Sequence, residues 1–215
     1  QQRLRLFVVA IRKDIDCEFS FPYGYDSGIR LRDILQLNVP KEVYTKCLEN
    51  VEIFDKPKQT DTHGIIKAGN LHHGKFHTQN DIVSIDGISP CVTAHDRNTD
   101  GFKIHDTRSH INCVRRPTAR ECFRLMAFSD EDYFKCRYHY VRRGKKKKRF
   151  SYVKEGAIYQ QAGNSIVVNV IAAIFGNLYG VEWQRKVYGS RYKSLDEMYS
   201  ELPLFAYLQE EYGKT

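Results

Sequence analysis

Four histidines lie close together in the first half of the chain, where imidazole side chains could bind zinc. They are His63, His72, His73 and His77. Zinc ligands must be held at a fixed spacing by a rigid element. Glycines at three positions between 64 and 74 interrupt this stretch, so no helix would keep His73 and His77 on one face. We therefore expect no metal site.

The cysteines show no spacing typical of zinc or redox chemistry. They are Cys17, Cys47, Cys91, Cys113, Cys122 and Cys136, and no two of them form a C-x-x-C pair. A chain of 215 residues can bury a large core without disulfides. We expect reduced, mostly buried thiols in an intracellular, cytoplasmic protein.

The composition is that of a globular protein with a basic excess. Hydrophobic residues make up 41% and charged residues 28%, and 34 Lys and Arg against 26 Asp and Glu give a net charge of +8. This excess favours a polyanionic partner, although charge concerns association rather than fold. The longest apolar run, 166–175, is too short to cross a bilayer, and no signal peptide is visible, so we expect no membrane association.

Local patterns predict the elements of the first half. Residues 4–11 (LRLFVVAI) are apolar and rich in β-branched side chains, which predicts a strand buried on both faces, as in parallel sheets. Residues 29–35 predict a short helix that ends before Pro40. Asp86-Gly87 separates the β-like runs 81–85 and 88–94, which predicts a hairpin within a small β-rich region.

Capping patterns predict helix starts in the second half. The pairs are Thr118 with Glu121, Ser129 with Asp132, and Ser194 with Glu197. Residues 166–175 are apolar almost all round, which predicts a buried helix capped by Asn164 or Ser165. Residues 145–149 (KKKKR) should form the tip of an exposed loop or hairpin, which could contact phosphates or simply be solvated.

Three ordered segments match the motifs of one family. They are residues 1–12 (QQRLRLFVVAIR), 115–128 (RRPTARECFRLMAF) and 159–168 (YQQAGNSIVV). They resemble the eighth, ninth and tenth motifs of the C5-specific DNA cytosine methyltransferases: Q-x-R-x-R leading into a strand, R-x-L-T-x-R-E-C-x-R-L-x-G-F, and Y-x-Q-x-G-N-S-V. Pro117, Ala127 and Ser129 stand where the family usually has Leu, Gly and Pro, which concerns the packing of the ninth-motif helix.

The family's reaction also needs a glycine-rich cofactor loop, a Pro-Cys nucleophile loop and a Glu-Asn-Val segment, all ahead of the eighth motif. Pro90-Cys91 and Glu49-Asn50-Val51 imitate the last two, but both follow the eighth motif, in swapped order, and no F-x-G-x-G loop occurs. We interpret both as structural. We expect that Gln1 marks a cut within a catalytic domain, and that the chain alone is inactive without an N-terminal portion or a complementary subunit.

The resemblance implies roles for individual residues. Arg5 would face a cytosine flipped out of the duplex, and Gln1 and Arg3 would hold it or the flanking phosphates. The less favoured alternative for Arg3 is a surface ion-pair residue. Loops of the target-recognition region would contact DNA through Lys75, His77, Thr78, Gln79, Thr93, His95 and Arg97.

The tenth and ninth motifs imply two further sets of functional residues, one that contacts the cofactor and one that is structural. Asn164, Ser165 and Ile166 would contact S-adenosylmethionine, which the missing N-terminal portion would mainly bind. Arg116, Glu121 and Arg124 would be structural and tie the recognition region to the core.

The expected fold class is α/β: the C-terminal part of a Rossmann-like methyltransferase domain with a small β-rich target-recognition domain. The expected segments are 1–36 (end of the catalytic domain), 37–113 (target recognition), 114–135 (ninth-motif helix), 136–158 (basic insertion) and 159–215 (tenth-motif helix and C-terminal helices).

The sequence therefore predicts the target-recognition and C-terminal portion of a DNA cytosine-5 methyltransferase. Its setting would be a bacterial restriction–modification system, cytoplasmic and nucleoid-associated, with double-stranded DNA as partner. One alternative is a non-catalytic DNA-binding or regulatory module derived from a methyltransferase. A basic nucleic-acid-binding protein unrelated to methylation would explain the charge of +8 but not the three ordered motifs.

Overall fold

The computed structural model describes residues 5–15, 18–23, 26–45, 49–60, 64–72, 80–94, 101–108, 114–143 and 147–179. The chain divides into two compact units. The first comprises Gln1–Val9 and Gly24–Asn169, and the second comprises Ala10–Tyr23 and Val170–Thr215. The elements below belong to the first unit, apart from the greater part of the last helix.

A five-stranded mixed sheet forms the middle of the chain. Its strands lie in sequence order: β1 (Val51–Gln59), β2 (Ile66–Leu71), β3 (Asp81–Ser84), β4 (Lys103–His105) and β5 (Val114–Arg115). Neighbours are antiparallel except β3 and β4, which are parallel with Val83 opposite Ile104. A parallel pair requires a crossover connection, which residues 85–102 provide. The predicted β-rich region is confirmed.

Five helices and a hairpin complete the described chain. They are α1 (Leu31–Ile34), α2 (Ala119–Leu125), α3 (Asp130–Arg137), the hairpin β6 (Tyr138–Arg143) with β7 (Lys147–Tyr152), α4 (Glu155–Asn164) and α5 (Val168–Tyr179). A 3-10 turn spans Lys41–Val43. The main core combines Val83 and Ile104 of the sheet with Phe123 of α2 and Ile158 of α4, all buried. Burial of this apolar surface is the main force that stabilises the unit, and the α/β class is confirmed.

Helix α2 is capped at both ends as its sequence requires. The Thr118 hydroxyl accepts from the Glu121 backbone N–H at 3.1 Å, and the Glu121 carboxylate accepts from the Thr118 N–H at 2.7 Å, which confirms the predicted capping box. At the other end, the Phe128 N–H donates to the Phe123 carbonyl at 3.0 Å, as in a Schellman motif. Ala127 holds the left-handed position of this motif with φ of 60°. This explains why the ninth motif usually has glycine there, since glycine has no Cβ to strain that conformation.

The short helices α3 and α1 also follow the predictions. Ser129 and Asp132 form the capping box of α3, with the Ser129 hydroxyl accepting from the Asp132 N–H at 3.1 Å. Helix α1 lies within the predicted range 29–35 and ends before Pro40. The pair Ser194 and Glu197 lies outside the described residues.

The strand predicted over residues 4–11 is wrong for the residues that the structure describes. Residues 5–12 have no strand assignment, and Leu6 and Val8 are 89% and 83% exposed. A strand needs a neighbour for its backbone N–H and C=O groups, and an apolar, β-branched sequence does not supply one by itself.

The hairpin predicted around Asp86-Gly87 is also wrong in its second half. β3 and the turn form, but residues 88–94 are not a strand. β3 pairs instead with β2 and β4, so both of its edges are already occupied. The hairpin predicted near the lysine run is confirmed as β6–β7, although Lys147–Arg149 lie within β7 and not at its tip.

The helix predicted to begin at Asn164 or Ser165 begins later. Asn164 is the last residue of α4, Ser165 is its C-cap, and α5 starts at Val168. Helix α5, which contains most of the apolar run, is not buried on all sides as predicted. Its residues Val170 and Phe175 are 40% and 42% exposed. The motif marks the junction between two helices rather than the start of one.

The stretch Glu155–Tyr179, which contains α4 and α5, is long and apolar enough to cross a membrane by length and composition alone. However, residues 165–167 break the helix. The longer piece, α5, has 12 residues and reaches about 18 Å at ~1.5 Å per residue, short of the roughly 30 Å hydrocarbon core of a bilayer. The stretch Glu155–Tyr179 therefore forms two separate helices, α4 and α5.

Candidate functional site

A buried charge network joins the five-stranded sheet to α2, the helix of the ninth-motif segment. Arg115 of β5 and Glu121 of α2 are both fully buried, and the guanidinium donates two hydrogen bonds of 2.9 Å to the carboxylate. Two parallel bonds match the planar fork of arginine to a carboxylate. The arrangement fixes the end of the sheet to the first turn of α2.

The Glu121 carboxylate has its remaining lone pairs satisfied. Besides Arg115, it accepts from the backbone N–H groups of Thr118 and Gln36, both at 2.7 Å. The Thr118 hydroxyl in turn donates to the Gln36 side-chain oxygen at 2.8 Å. A buried ion pair is tolerated when further hydrogen bonds offset its desolvation, and these four bonds meet that condition.

Asp106 extends the network beyond the end of β4. Its carboxylate accepts from the Arg115 Nε at 3.0 Å and from the Arg108 Nε at 2.9 Å. Burial raises the pKa of Asp106, but the hydrogen bond from Arg108 and the charge of Arg115 outweigh it, so the pKa lies below its ordinary value. Asp106 is therefore held as a carboxylate between two guanidinium groups.

Helix α1 is fixed at both ends by residues from distant parts of the chain. At its start, the Leu31 and Arg32 N–H groups donate to the Gly87 and Ile85 carbonyls, both at 3.0 Å. At its end, Arg124 donates to the Ile34 carbonyl at 2.9 Å, and Arg108 donates to the Arg32 carbonyl at 3.1 Å. These contacts satisfy groups that a four-residue helix cannot pair internally.

Two further contacts hold the ninth motif. Arg124 donates two hydrogen bonds of 2.7 Å to Asp130, and Arg120 contacts the same carboxylate. The Arg116 guanidinium lies 5.9 Å from the ring centroid of Tyr159 on α4. The Tyr159 hydroxyl donates to the Pro117 carbonyl at 2.8 Å, and burial raises the pKa of that hydroxyl.

The tenth motif lies against the segment that leads to a predicted recognition loop. A Cβ built on Gly163 of α4 would lie 2.4 Å from the backbone N of Ala94 and 2.4 Å from the backbone C of Thr93. Such a distance is far below van der Waals contact, so only glycine allows the two backbones to approach this closely. Thr93 itself is exposed.

The predicted cofactor residues follow Gly163 at the end of α4. Asn164 and Ile166 are exposed, whereas Ser165 is partly buried and donates from its hydroxyl to the Ala162 carbonyl at 2.6 Å. The expectation that these residues begin a helix with free N–H groups is wrong. Their polar groups instead lie at the C-terminal end of α4.

Of the predicted DNA contacts, the structure describes Arg5 and Thr93, and both are exposed. The others lie outside the described residues: Gln1, Arg3, Lys75, His77, Thr78, Gln79, His95 and Arg97.

The surroundings of Cys91 and of Glu49-Asn50-Val51 are compatible with the structural role that the sequence predicts for both. The Cys91 thiol contacts the Val92 carbonyl at 3.5 Å, and Val51 begins β1. Among the described cysteines, Cys91, Cys122 and Cys136 form no disulfide. No metal-binding group of histidine, cysteine or acidic residues occurs within the described ranges, where His72 contacts Glu52 at 3.0 Å.

Sequence reasoning missed the role of Gln36, Asp106 and Arg108 in the network. The Gln36 contact to Glu121 joins residues 85 positions apart, which no local pattern can reveal. The sequence Asp106-x-Arg108 is a weak signal of this ion pair, because an acidic and a basic residue two positions apart can pair where the chain leaves a strand.

Comparison with known proteins identifies the family. The model of the C-5 cytosine-specific DNA methylases matches residues 1–180. The chain belongs to the C-5 cytosine-specific DNA methylases. The resemblance seen in the three motifs is thus confirmed.

Two of the relatives to which the chain is similar are type II methyltransferases, and a third is an orphan methyltransferase. The chain is 28% identical over 149 residues to M.MthTI of Methanothermobacter thermautotrophicus, covering 62% of this chain and 43% of that protein. It is 25% identical over 179 residues to M2.ScrFI of Lactococcus lactis subsp. cremoris, covering 83% and 41%. It is also 39% identical over 66 residues to the orphan methyltransferase M.SPRI of Bacillus phage SPR, covering 30% and 12%.

Among solved structures, the chain is similar to the S. pombe Dnmt2 methyltransferase, with a TM-score of 0.42 and 22% identity over 71% of this chain and 41% of that one. The chain spans less than half the length of the curated relatives that it matches.

Proposed function

We propose that the chain supplies the target-recognition and C-terminal portion of a DNA cytosine-5 methyltransferase of a bacterial restriction–modification system, acting in the cytoplasm at the nucleoid. The observation that carries this proposal is the family match over residues 1–180. The type II names of two relatives support the restriction–modification setting.

The substrate is a cytosine within double-stranded DNA, flipped out of the stack so that its C5 can be reached. Arg5 contacts the flipped base, with Gln1 and Arg3 beside it. The exposed Thr93 and the neighbouring loop residues contact the duplex: Lys75, His77, Thr78, Gln79, His95 and Arg97. Exposure of Arg5 and Thr93 supports their availability for such contacts.

S-adenosylmethionine, when bound, supplies the methyl group. The residues at the end of α4 suit a polar ligand, because the exposed Asn164 carries both a donor and an acceptor and the Ser165 hydroxyl oxygen can still accept a bond. Asn164, Ser165 and Ile166 would therefore hold part of this cofactor, and an N-terminal portion would contribute most of its binding.

Arg116, Glu121 and Arg124 are positioning residues for recognition. The Glu121–Arg115 pair and the Arg124 bond to Ile34 support this role, since they join α2 to the recognition sheet and to α1. Through them, a sequence-reading loop keeps a fixed position relative to the motifs that follow it.

Methyl transfer by these 215 residues requires a complementary polypeptide that carries the nucleophile. The test incubates the chain with cytosine-containing duplex DNA and labelled S-adenosylmethionine, with and without a polypeptide carrying the first seven motifs. We expect weak, salt-dependent DNA binding and no transfer by the chain alone, and transfer by the pair. Robust turnover by the isolated chain would overturn the proposal. DNA binding without transfer by the pair would favour a non-catalytic module.

A further inference from the structure

The far end of the β6–β7 hairpin places like charges opposite each other. In its antiparallel ladder, Arg142 lies opposite Lys148, and Arg143 lies opposite Lys147. Like charges directly across an antiparallel pair destabilise it. These pairs therefore act against the hairpin that contains them.

The hairpin also holds most of the protein's charge excess. Residues 138–153 contain seven Lys and Arg and no Asp or Glu, whereas the whole chain has a net charge of +8. The rest of the chain is therefore close to neutral. A positive field concentrated on one arm attracts polyanions more strongly than the same charge dispersed over the surface.

The near end of the hairpin is firmly anchored. The Val153 N–H donates to the Arg137 carbonyl at 2.8 Å, and the Val153 side chain packs against the main core. The Tyr138 ring lies 6.2 Å from that of Phe134, and the Arg137 guanidinium lies 5.3 Å from the Tyr152 ring centroid. Six residues per strand then extend about 20 Å from this base, so the opposed charges are at the far end of an anchored arm.

We propose that the hairpin is a second DNA-contacting element, which binds phosphates of the duplex outside the recognition region. This inference rests on the proposed DNA substrate. Binding of DNA phosphates offsets the repulsion of the two pairs, so it recovers the stability that the unbound hairpin lacks. The contact is independent of base sequence and depends strongly on salt.

The test compares two triple variants that remove equal charge. One is Lys147→Gln, Lys148→Gln, Arg149→Gln in β7. Its control is Lys13→Gln, Lys41→Gln, Lys56→Gln, at exposed lysines of other segments. Binding of the 215-residue chain to one 30-base-pair duplex DNA is measured from 50 to 200 mM salt, with a duplex RNA of the same length beside it.

Each lost phosphate contact lowers the slope of log affinity against log salt by ~0.9, so three contacts make the affinity loss over this range about 40-fold smaller. We expect that change in the hairpin variant alone. Equal changes in both variants would show an effect of net charge and overturn the inference, as would a larger hairpin effect on RNA than on DNA. If the unmodified chain does not bind duplex DNA at all, the proposed function fails as well.

A stability measurement gives a second, independent readout. Lys148→Glu places an acidic residue opposite Arg142 in the ladder, and the matched change Lys41→Glu is far from the hairpin in sequence. We expect Lys148→Glu to keep or raise the midpoint of thermal unfolding while weakening DNA binding at least tenfold. A lower midpoint together with unchanged DNA binding would show that the lysine has only a structural role.

Discussion

The Arg115 guanidinium and the Glu121 carboxylate form a fully buried ion pair, joined by two hydrogen bonds of 2.9 Å, at the point where the five-stranded sheet meets helix α2. The pair is six residues apart in sequence, but it completes its hydrogen bonds with Gln36 and Asp106, which come from two other segments. Four segments of the chain therefore converge on one carboxylate–guanidinium pair.

Glu121→Gln should destabilise the protein strongly. It leaves the buried Arg115 charge without its main counter-charge, and breaking a buried pair in this way costs about 3–5 kcal/mol. The free energy of unfolding in urea measures the effect. Glu131→Gln, at an exposed carboxylate that pairs with Lys135, should change it little. Equal losses in both variants would contradict a special role for the buried pair.

Asp106 should make the protein sensitive to acid. Its pKa is lowered in the folded state, so its contribution to stability is present above about 3.9, the usual value of an unfolded aspartate, and is lost as the pH falls through the lower folded value. Urea midpoints between pH 7 and pH 3 should fall with acid in the unmodified chain. The Asp106→Asn variant should have a lower urea midpoint at pH 7, and that midpoint should fall less between pH 7 and pH 3. If the midpoints of the two proteins fell in parallel with pH, the assignment to Asp106 would be refuted.

Ala127→Gly should stabilise the protein. Ala127 has φ of 60° at the end of α2, and the left-handed conformation costs a residue with a Cβ about 1 kcal/mol, which glycine avoids. Thermal unfolding measures the gain. The control Ala173→Gly, inside α5, should instead lower stability by up to about 1 kcal/mol. A loss at both positions would show that the chain entropy of glycine outweighs the strain.

Gly163→Ala should displace the segment that leads into the recognition loop. The added Cβ would meet backbone atoms of Thr93 and Ala94 at 2.4 Å, which no rotamer change can relieve, so we expect a loss of about 1–3 kcal/mol. We also expect faster amide hydrogen exchange in a peptide covering 91–94. Gly156→Ala lies on the same helix with nothing within 4 Å of its Cβ and should be neutral or stabilising. Unchanged exchange in Gly163→Ala would rule out this contact as a positioning device.

Local patterns predicted the starts of α2 and α3 correctly because the interactions that define them are local. The Thr118–Glu121 and Ser129–Asp132 capping boxes each close over three residues, so the residue types at that spacing suffice. The same is true of the β6–β7 hairpin, whose strands are close in sequence.

The errors arose where the partner lies elsewhere in the chain. Residues 88–94 read as a strand, but β3 takes β2 and β4 as neighbours, and α4 packs against Thr93 and Ala94 instead. The apolar run after Asn164 predicted one helix, whereas the chain breaks at 165–167, where the Val168 N–H donates to the Met126 carbonyl at 3.1 Å. Neither partner can be inferred from the residues of the segment itself.

The sequence by itself determined the family, through three ordered motifs, and the concentration of charge between residues 138 and 153. Only the tertiary structure decided that Glu121 binds Gln36 and Arg115 together, that Gly163 admits the backbone of Thr93, and that Arg142 lies opposite Lys148. The physical reason is that motifs and charge are properties of residue types along the chain. Pairing and close approach depend on which distant backbone groups the folded core brings within hydrogen-bonding or van der Waals distance.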